Sequence, residues 1–140
     1  MDYLLDTNAC VALLRNKPLS VRNHADVARA GGSRLAISSI ALDELWYGTY
    51  KSTRTEQGVW QLRMFLAGGI EVLSFDETDA RLSGRIRAEL AVAGKRIGEY
   101  DTLIGGQCLR HGLTLVTNNL SEFGRIRGLA CVDWTKSLGD

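Results

Sequence analysis

Residues 3–14 have the sequence YLLDTNACVALL, in which a short apolar run ends in an acid and helix-compatible apolar positions follow. This pattern predicts a buried strand, a tight turn and then a helix. In an open parallel sheet, ligands bind outside the carboxyl ends of the strands, where Asp6 would stand with a helix N-terminus behind it. Asp6 is therefore a candidate functional carboxylate. The alternative is that it only caps the helix, as Thr7 or Asn8 could also do.

The composition predicts one globular domain over residues 1–140. A chain of 140 residues with 45% hydrophobic content and no linker-like stretch can bury a substantial core. With 17 Lys and Arg against 16 Asp and Glu, a nucleic-acid partner would have to meet a local basic patch. Three widely spaced cysteines among apolar neighbours favour buried thiols in a reducing compartment, so we expect a cytoplasmic protein. We see neither a signal peptide nor a membrane span.

The unit of strand, polar cap and helix recurs along the chain. Further strands are predicted at 34–38, 70–75 and 113–117, with a last edge strand at 130–132. Helices are predicted at 18–30, 40–50, 55–67, from the cap Asp76 to Gly94, and from the turn holding Asp101 to Gly112. Asp79, three residues after Asp76, gives the fourth of these helices a start like a capping box, and residues 120–123 are predicted to form a short turn. The alternation predicts an α/β fold in which helices cover a parallel sheet. Gly105 and Gly106 each cost a helix about 1 kcal/mol relative to alanine, which predicts close packing against another element.

Polar residues gather at the predicted carboxyl edge of the sheet. Asp101 lies in the first turn of its helix, and Asn119 follows the strand 113–117 at the same edge as Asp6. Glu44 joins them if its helix turns it toward Asp6; otherwise its interaction with the helix dipole explains it. A donor set made only of oxygen atoms, without His or Cys, suits Mg²⁺ or Mn²⁺.

Two surface features have open interpretations. Arg85, Lys95 and Arg96 could contact RNA phosphates, although Glu89, four residues after Arg85, offers an ordinary salt bridge instead. An aromatic group on two helices could belong to the core or to a partner interface. Its members are Trp46, Tyr47, Tyr50 and Trp60.

Four stretches together closely resemble PIN-domain toxins of the VapC type. They cover nearly the whole chain in order: LLDTN at 4–8, residues 39–48 with Glu44-Leu45, IGEYDTLI at 97–104, and LVTNN at 115–119 with Glu122-Phe123 and Asp133-Trp134 beyond. The resemblance implies a three-layer α/β/α PIN domain whose central, mainly parallel sheet has four to five strands.

The resemblance also implies a function. It predicts a Mg²⁺-dependent endoribonuclease, with Mn²⁺ as a substitute, that inhibits translation as the toxin of a type II toxin–antitoxin pair. The implied substrate is tRNA, with the anticodon stem-loop of initiator tRNA favoured. The implied partners are a second copy in a homodimer and a VapB-type antitoxin, whose C-terminal tail wraps the toxin and can place a basic residue among the acids.

Carried over residue by residue, the resemblance makes Asp6 and Asp101 metal ligands, and Glu44 a ligand directly or through water. Asn119 is the fourth catalytic position, where many PIN domains have an acid, so one tightly held Mg²⁺ is expected. Thr117 is expected to orient Asp6 by a hydroxyl hydrogen bond.

Asn8 has a similar supporting role in this scheme. Glu99 occupies a position where relatives often have proline, which could alter how Asp101 is presented.

Two rival functions remain at this point. The chain could be a catalytically silent PIN-like binding module in which the acids only cap helices. It could also be an Asp-dependent phosphotransfer enzyme with Asp6 as the nucleophile, although the Asp-x-Asp spacing of one such class is missing because residue 8 is asparagine.

Overall fold

A parallel five-stranded sheet forms the centre of the computed structural model, which describes residues 1–138. Its strands are β1 (Tyr3–Leu5), β2 (Leu35–Ser38), β3 (Ile70–Leu73), β4 (Thr114–Val116) and β5 (Cys131–Val132). They lie in the order β3-β2-β1-β4-β5, with every neighbouring pair parallel. The predicted parallel sheet and edge strand are confirmed. Residues 139–140 of the predicted single domain lie outside the described part.

Helices cover both faces of the sheet. They are α1 (Thr7–Arg15), α2 (Leu19–Ala30), α3 (Ser39–Lys51), α4 (Thr55–Ala67), α5 (Glu77–Val92), α6 (Glu99–Arg110) and the single turn α7 (Leu120–Phe123). The predicted helices and strands are found with small shifts at their ends, and α7 replaces a predicted turn. Within residues 1–138, no helix combines the length and apolar composition that a membrane crossing requires.

Strand alternation explains the three layers. Successive side chains of a strand point to opposite faces, so Leu5 packs in a core with helices α1, α2 and α4, whereas Leu4 packs in a second core with α5 and α6. Both leucines are completely buried. The predicted α/β/α architecture is therefore confirmed, and two cores hold one sheet between two helical layers. Cys10 and Cys108 are buried free thiols, as predicted, whereas Cys131, on the edge strand, is only partly buried.

The order of the strands fixes where a ligand can bind. The connections from β1 run toward β2 on one side, while β4 returns to the other side of β1, so the chain changes direction between these two central strands. Such a switch point opens a crevice at the carboxyl ends of the strands. Asp6 directly follows β1 and Thr117 directly follows β4. The fold therefore places both residues at this crevice.

Helix α6 is held against α5 by a close backbone approach. A Cβ atom on Gly106 would lie 2.9 Å from Ser83 Cβ and 3.0 Å from Ser83 Cα, distances at which something must shift. On Gly105, a Cβ atom would lie 2.5 Å from Ile126 Cδ1. The predicted close packing at these glycines is confirmed, and it sets the position of the helix that carries Asp101.

A polar contact of the next residue, Gln107, also fixes α6. Gln107 Nε2 donates to the carbonyl oxygens of Leu73 and Ser74, at 3.3 and 3.2 Å, where the chain leaves β3. The same amide is 3.3 Å from Asp79 Oδ2. Asp79 is fully buried and forms a reciprocal capping box with Asp76, as the sequence predicted. Helix α6 is thus tied to the start of α5.

We predict that Gly106→Ala lowers the free energy of unfolding by roughly 1–3 kcal/mol, because the added methyl group meets backbone atoms that cannot rotate away. Gly84→Ala is the matched control: it also lies in a helix of this pair, and its Cβ would have no neighbour within 4 Å. It should stabilise the protein by roughly 0.5–1 kcal/mol. Urea denaturation of both variants tests this, and equal effects would contradict it.

Candidate active site

Asp6 lies buried at the switch point, with 6% of its surface exposed. Its Oδ1 atom accepts a hydrogen bond of 2.8 Å from the Ala9 amide, so it does cap helix α1. Burial raises the pKa of Asp6, and the charges of Glu44 and Asp133 raise it further, against the hydrogen bonds from Thr117 and Ala9. Helix capping alone does not explain Asp6, because other carboxylates lie close enough to raise its pKa.

Glu44 is turned toward this group by a contact between two helices. Thr7 Oγ1 donates to Glu44 Oε1 at 2.8 Å, which joins the first turn of α1 to α3. The charge of Glu44 raises the pKa of Asp6 and that of Asp101. The structure thus brings together the three acids, Asp6, Glu44 and Asp101, that the sequence singled out.

Asp101 has a strongly shifted pKa. Burial comes first among the causes, followed by hydrogen bonding and charge repulsion from Glu122, and then by the charges of Asp6 and Glu44; together they raise the pKa of Asp101 to about 6. A carboxyl group whose pKa is raised by its neighbours is in an environment that favours a bound proton or a cation.

Glu122 is the site residue that the sequence reasoning missed. It lies in the short helix α7, and Asn119 Nδ2 donates to its Oε2 atom at 2.9 Å. Asn119 is not itself an acid, but it holds the carboxylate of Glu122 in place, so the site keeps a fourth carboxylate. Glu122 lies within the fourth stretch that resembles the family. The sequence did not reveal the helical turn α7, which directs this side chain toward Asp101.

Thr117 links the two sides of the crevice. Its Oγ1 atom accepts a hydrogen bond of 3.0 Å from the Asn119 amide, which leaves the hydroxyl hydrogen available. The hydroxyl lowers the pKa of Asp6 by hydrogen bonding. Thr117 thus lies between Asp6 and the segment that holds Glu122.

The acids form a charge cluster that the described protein does not neutralise. Within residues 1–138, no Lys, Arg or His nitrogen comes within 4.0 Å of the carboxylates of Asp6, Glu44, Asp101, Glu122 or Asp133. In the same range, no three or more His, Cys, Asp and Glu side chains form a ready-made metal cluster. Mg²⁺ keeps several waters and takes only one or two carboxylates directly, so a loose oxygen-donor set of this kind fits it.

Asn8 and the three candidate RNA-binding residues lie outside the group of acids. Asn8 is exposed and lines a small pocket beside the acids. Arg85 pairs with Glu89 at 3.2 Å, both largely exposed, which is the salt bridge that the sequence offered as the alternative. Lys95 and Arg96 are exposed, and the Arg96 carbonyl accepts a 2.9 Å hydrogen bond from Arg125. No contact among the described residues brings these three cations to the acids.

Comparison with known proteins defines the class. The sequence profile described as "PIN domain" matches residues 3–129. A protein of Salmonella typhimurium named "tRNA(fMet)-specific endonuclease VapC" is 42% identical over 134 residues, covering 96% of this chain and 98% of its own length. The protein of the same name from Shigella flexneri is 39% identical, with 96% and 99% covered.

A solved structure gives the same result. The complex described as VapBC2 from Rickettsia felis bound to a DNA fragment from their promoter contains a chain with a TM-score of 0.88 and 38% identity, covering 96% of this chain and 99% of that one. This chain therefore belongs to the PIN-domain family, and within that family to the VapC ribonuclease toxins of toxin–antitoxin systems. The resemblance seen in the sequence is confirmed.

We predict that Asp101→Asn stabilises the metal-free protein at about pH 7.5. Because the folded protein raises the pKa of Asp101 from 3.8 to about 6, its stability without metal falls as the pH rises through this interval. The amide should recover about 1 kcal/mol, a modest value because water screens this half-buried group. Thermal unfolding in EDTA measures it.

Asp43→Asn, which removes an exposed charge next to Glu44, is the control and should leave the melting temperature unchanged. At about pH 4 the gain of Asp101→Asn should disappear. A variant that is no more stable than the wild type at pH 7.5 would contradict the charge cluster.

Proposed function

We propose that this protein is a Mg²⁺-dependent endoribonuclease that inhibits translation by cleaving tRNA, with the anticodon stem-loop of initiator tRNA as the favoured target. The observation that carries the proposal is the group of carboxylates at the switch point, without a neutralising cation among residues 1–138. The names of the relatives from Salmonella typhimurium and Shigella flexneri support the choice of substrate. We expect it to act in the cytoplasm, where tRNA is found.

In this proposal Asp6 and Asp101 hold one Mg²⁺ ion, and Glu44 holds it directly or through a water molecule; Mn²⁺ would serve as a substitute. When bound, the ion would activate a water for attack on the phosphodiester and shield the leaving oxygen. Without a cation, the carboxylates would repel the phosphate group of RNA.

The chain's other residues hold these acids in position. Thr7 fixes Glu44 by a hydrogen bond, Thr117 fixes Asp6, and Asn119 fixes Glu122 beside Asp101. Groups that orient metal ligands contribute strongly to metal affinity. The supporting residues come from two segments far apart in the sequence, the first turn of α1 and the loop between β4 and α7, so the site depends on the complete fold.

We further propose a VapB-type antitoxin and a second copy of this chain as partners. The solved Rickettsia felis complex is named as VapBC2, which supports the antitoxin. A cleft of about 300 Å³ runs from Thr7 and Glu44 to Gln61, and a neighbouring cleft of about 280 Å³ continues past Trp60. The two clefts share Leu14 and Gln61, so they form one path from the acids onto α4.

Exposed aromatic side chains lie on α3 and α4, the two helices along this path, and Trp60 lines it directly. Tyr47, Tyr50 and Trp60 are 64%, 65% and 64% exposed, and Trp46 stacks on Tyr50 with ring centroids 5.5 Å apart. Full burial within the monomer would have excluded them as a partner surface, and three of the four are exposed. We propose that the antitoxin's C-terminal tail follows this path to the acids.

The rival functions make different demands. A phosphotransfer enzyme would need a free, exposed Asp6, whereas this side chain is 6% exposed and engaged by Ala9. Trapping a phospho-aspartate would favour that rival. In a catalytically silent binding module, nothing would require carboxylates to be held together against their repulsion. An assay for RNA cleavage distinguishes this rival from our proposal.

We predict that Asp6→Asn and Asp101→Asn each reduce Mg²⁺-dependent RNA cleavage by more than about 100-fold, the upper range for losing a group that merely supports a metal ligand. Both should also abolish growth arrest on expression. Asp43→Asn is again the control. Sequencing of RNA ends after induction would identify the target, and cleavage that persists in EDTA or in these variants would refute the proposal.

We predict that Trp60→Ala weakens binding of the cognate antitoxin by about 30-fold or more, the loss typical of an interfacial tryptophan at a hot spot. Isothermal titration with the purified antitoxin measures it. Val92→Ala, at a valine that is 91% exposed on the opposite helical layer, should bind normally. Equal antitoxin affinities for the two variants would show that Trp60 does not contribute to the interface.

A further inference from the structure

A small pocket lies beside the acids, where α1 faces the segment after β5, and it meets the cleft that begins at Thr7 and Glu44 at two shared residues, Val11 and Arg15. Its volume is about 190 Å³, below the roughly 300 Å³ at which pockets for drug-sized ligands begin. It opens between α1 and the segment after β5, and its wall includes Thr117 and Asp133, both of which influence Asp6. The pocket is therefore an immediate neighbour of the proposed reaction centre.

The floor of the pocket is apolar and fixed. It is formed by the buried residues Ala12, Val21, Val116 and Trp134. The Trp134 indole is 4% exposed and is clamped between two other rings: it stacks on His24 at 5.8 Å and meets Tyr3 edge-on at 5.0 Å. A wall held in this way keeps the shape of the pocket fixed.

The rim of the pocket is polar and partly cationic. The exposed side chains of Asn8 and Asn118 present two carboxamides, and Arg15 and Lys17 provide two positive charges. Within residues 1–138, neither cation has an acidic partner within 4.0 Å. A carboxamide offers a donor and an acceptor side by side, the pattern that matches the edge of a nucleobase.

These features together fit one nucleotide better than a peptide. An apolar floor with hydrogen-bonding groups at its rim is how proteins hold an unstacked base, and sequence-specific RNA recognition uses such bases in loops. The free cations suit the phosphate of the same nucleotide. A peptide tail needs an extended groove, which the clefts along α3 and α4 offer; the pocket adjoins the first of these clefts at Val11 and Arg15, and its own volume of about 190 Å³ suits a single base.

We infer that the pocket formed by Asn8, Asn118 and the Trp134 floor binds the base of a nucleotide flanking the scissile bond. The inference rests on the proposed ribonuclease function and deepens it, since it assigns the choice of cleavage position to a named part of the chain. Asn8 and Asn118 contact the base edge, and Lys17 contacts the RNA backbone. The bound base anchors the neighbouring phosphate over the acids.

The test uses short RNA substrates in which each nucleotide flanking the scissile bond is replaced in turn by an abasic residue. The wild-type protein should lose about tenfold or more in kcat/KM at one position, the effect of a lost base contact. In the double variant Asn8→Ala/Asn118→Ala, the same abasic replacement should have little further effect. Asn23→Ala, at an exposed asparagine of α2, should retain the wild-type response.

Lys17→Ala should weaken cleavage of all these substrates equally and reduce the salt dependence of binding by about one unit of slope. The inference is overturned if no abasic replacement matters, or if the double asparagine variant responds to it as the wild type does. It is also overturned if Asn23→Ala matches the double variant.

A second measurement separates this inference from the proposed function. Adding a nucleoside monophosphate should shift the side-chain amide NMR signals of Asn8 and Asn118. If the protein cleaves no RNA with Mg²⁺, the proposed function fails, and these shifts alone decide whether the pocket binds a base. Shifts accompanied by RNA cleavage that ignores abasic replacement would mean that the pocket takes free nucleotides, which overturns the substrate role.

Discussion

Repulsion among carboxylates at the carboxyl ends of β1 and β4 is the constraint around which this molecule is built. Asp6, Glu44, Asp101 and Glu122 come from four different segments. Burial first, and then the charges of neighbouring acids, raise the pKa values of Asp6 and Asp101. Folding must hold these groups together against that force. Stability given up at one location for the sake of a binding site is common in functional proteins.

Short-range contacts on packed helices hold the acids in place against this repulsion. Asp6 is held by the first turn of α1, and Glu44 is held by Thr7 from that same turn. Asp101 depends on α6, whose position is set by the backbone contact of Gly106 with Ser83 and by the amide of Gln107. Each acid is therefore positioned by an element that is itself packed in one of the two cores.

The surroundings of the acids differ from side to side. Toward α3 and α4 the clefts are extended and the helices carry exposed aromatic side chains, which suits a polypeptide. Toward the segment after β5 there is a short pocket with carboxamides and free cations at its rim, which suits a nucleotide. An inhibitory partner and a substrate would thus reach one reaction centre over adjoining surfaces that meet at Val11 and Arg15, and a tail reaching the acids would block the substrate.

The sequence by itself determined the architecture and most of the acids. The local signals were strand and helix periodicity, the capping pair Asp76 and Asp79, and the glycine pair at 105–106. Such signals can be recognised in the sequence because they involve residues that are close together along the chain. Only the tertiary structure decided that Glu122 belongs to the site, held by Asn119, and that Arg85 pairs with Glu89. It also joined Asn8 and Asn118 on one pocket rim, because contacts between residues far apart in sequence depend on how the layers pack.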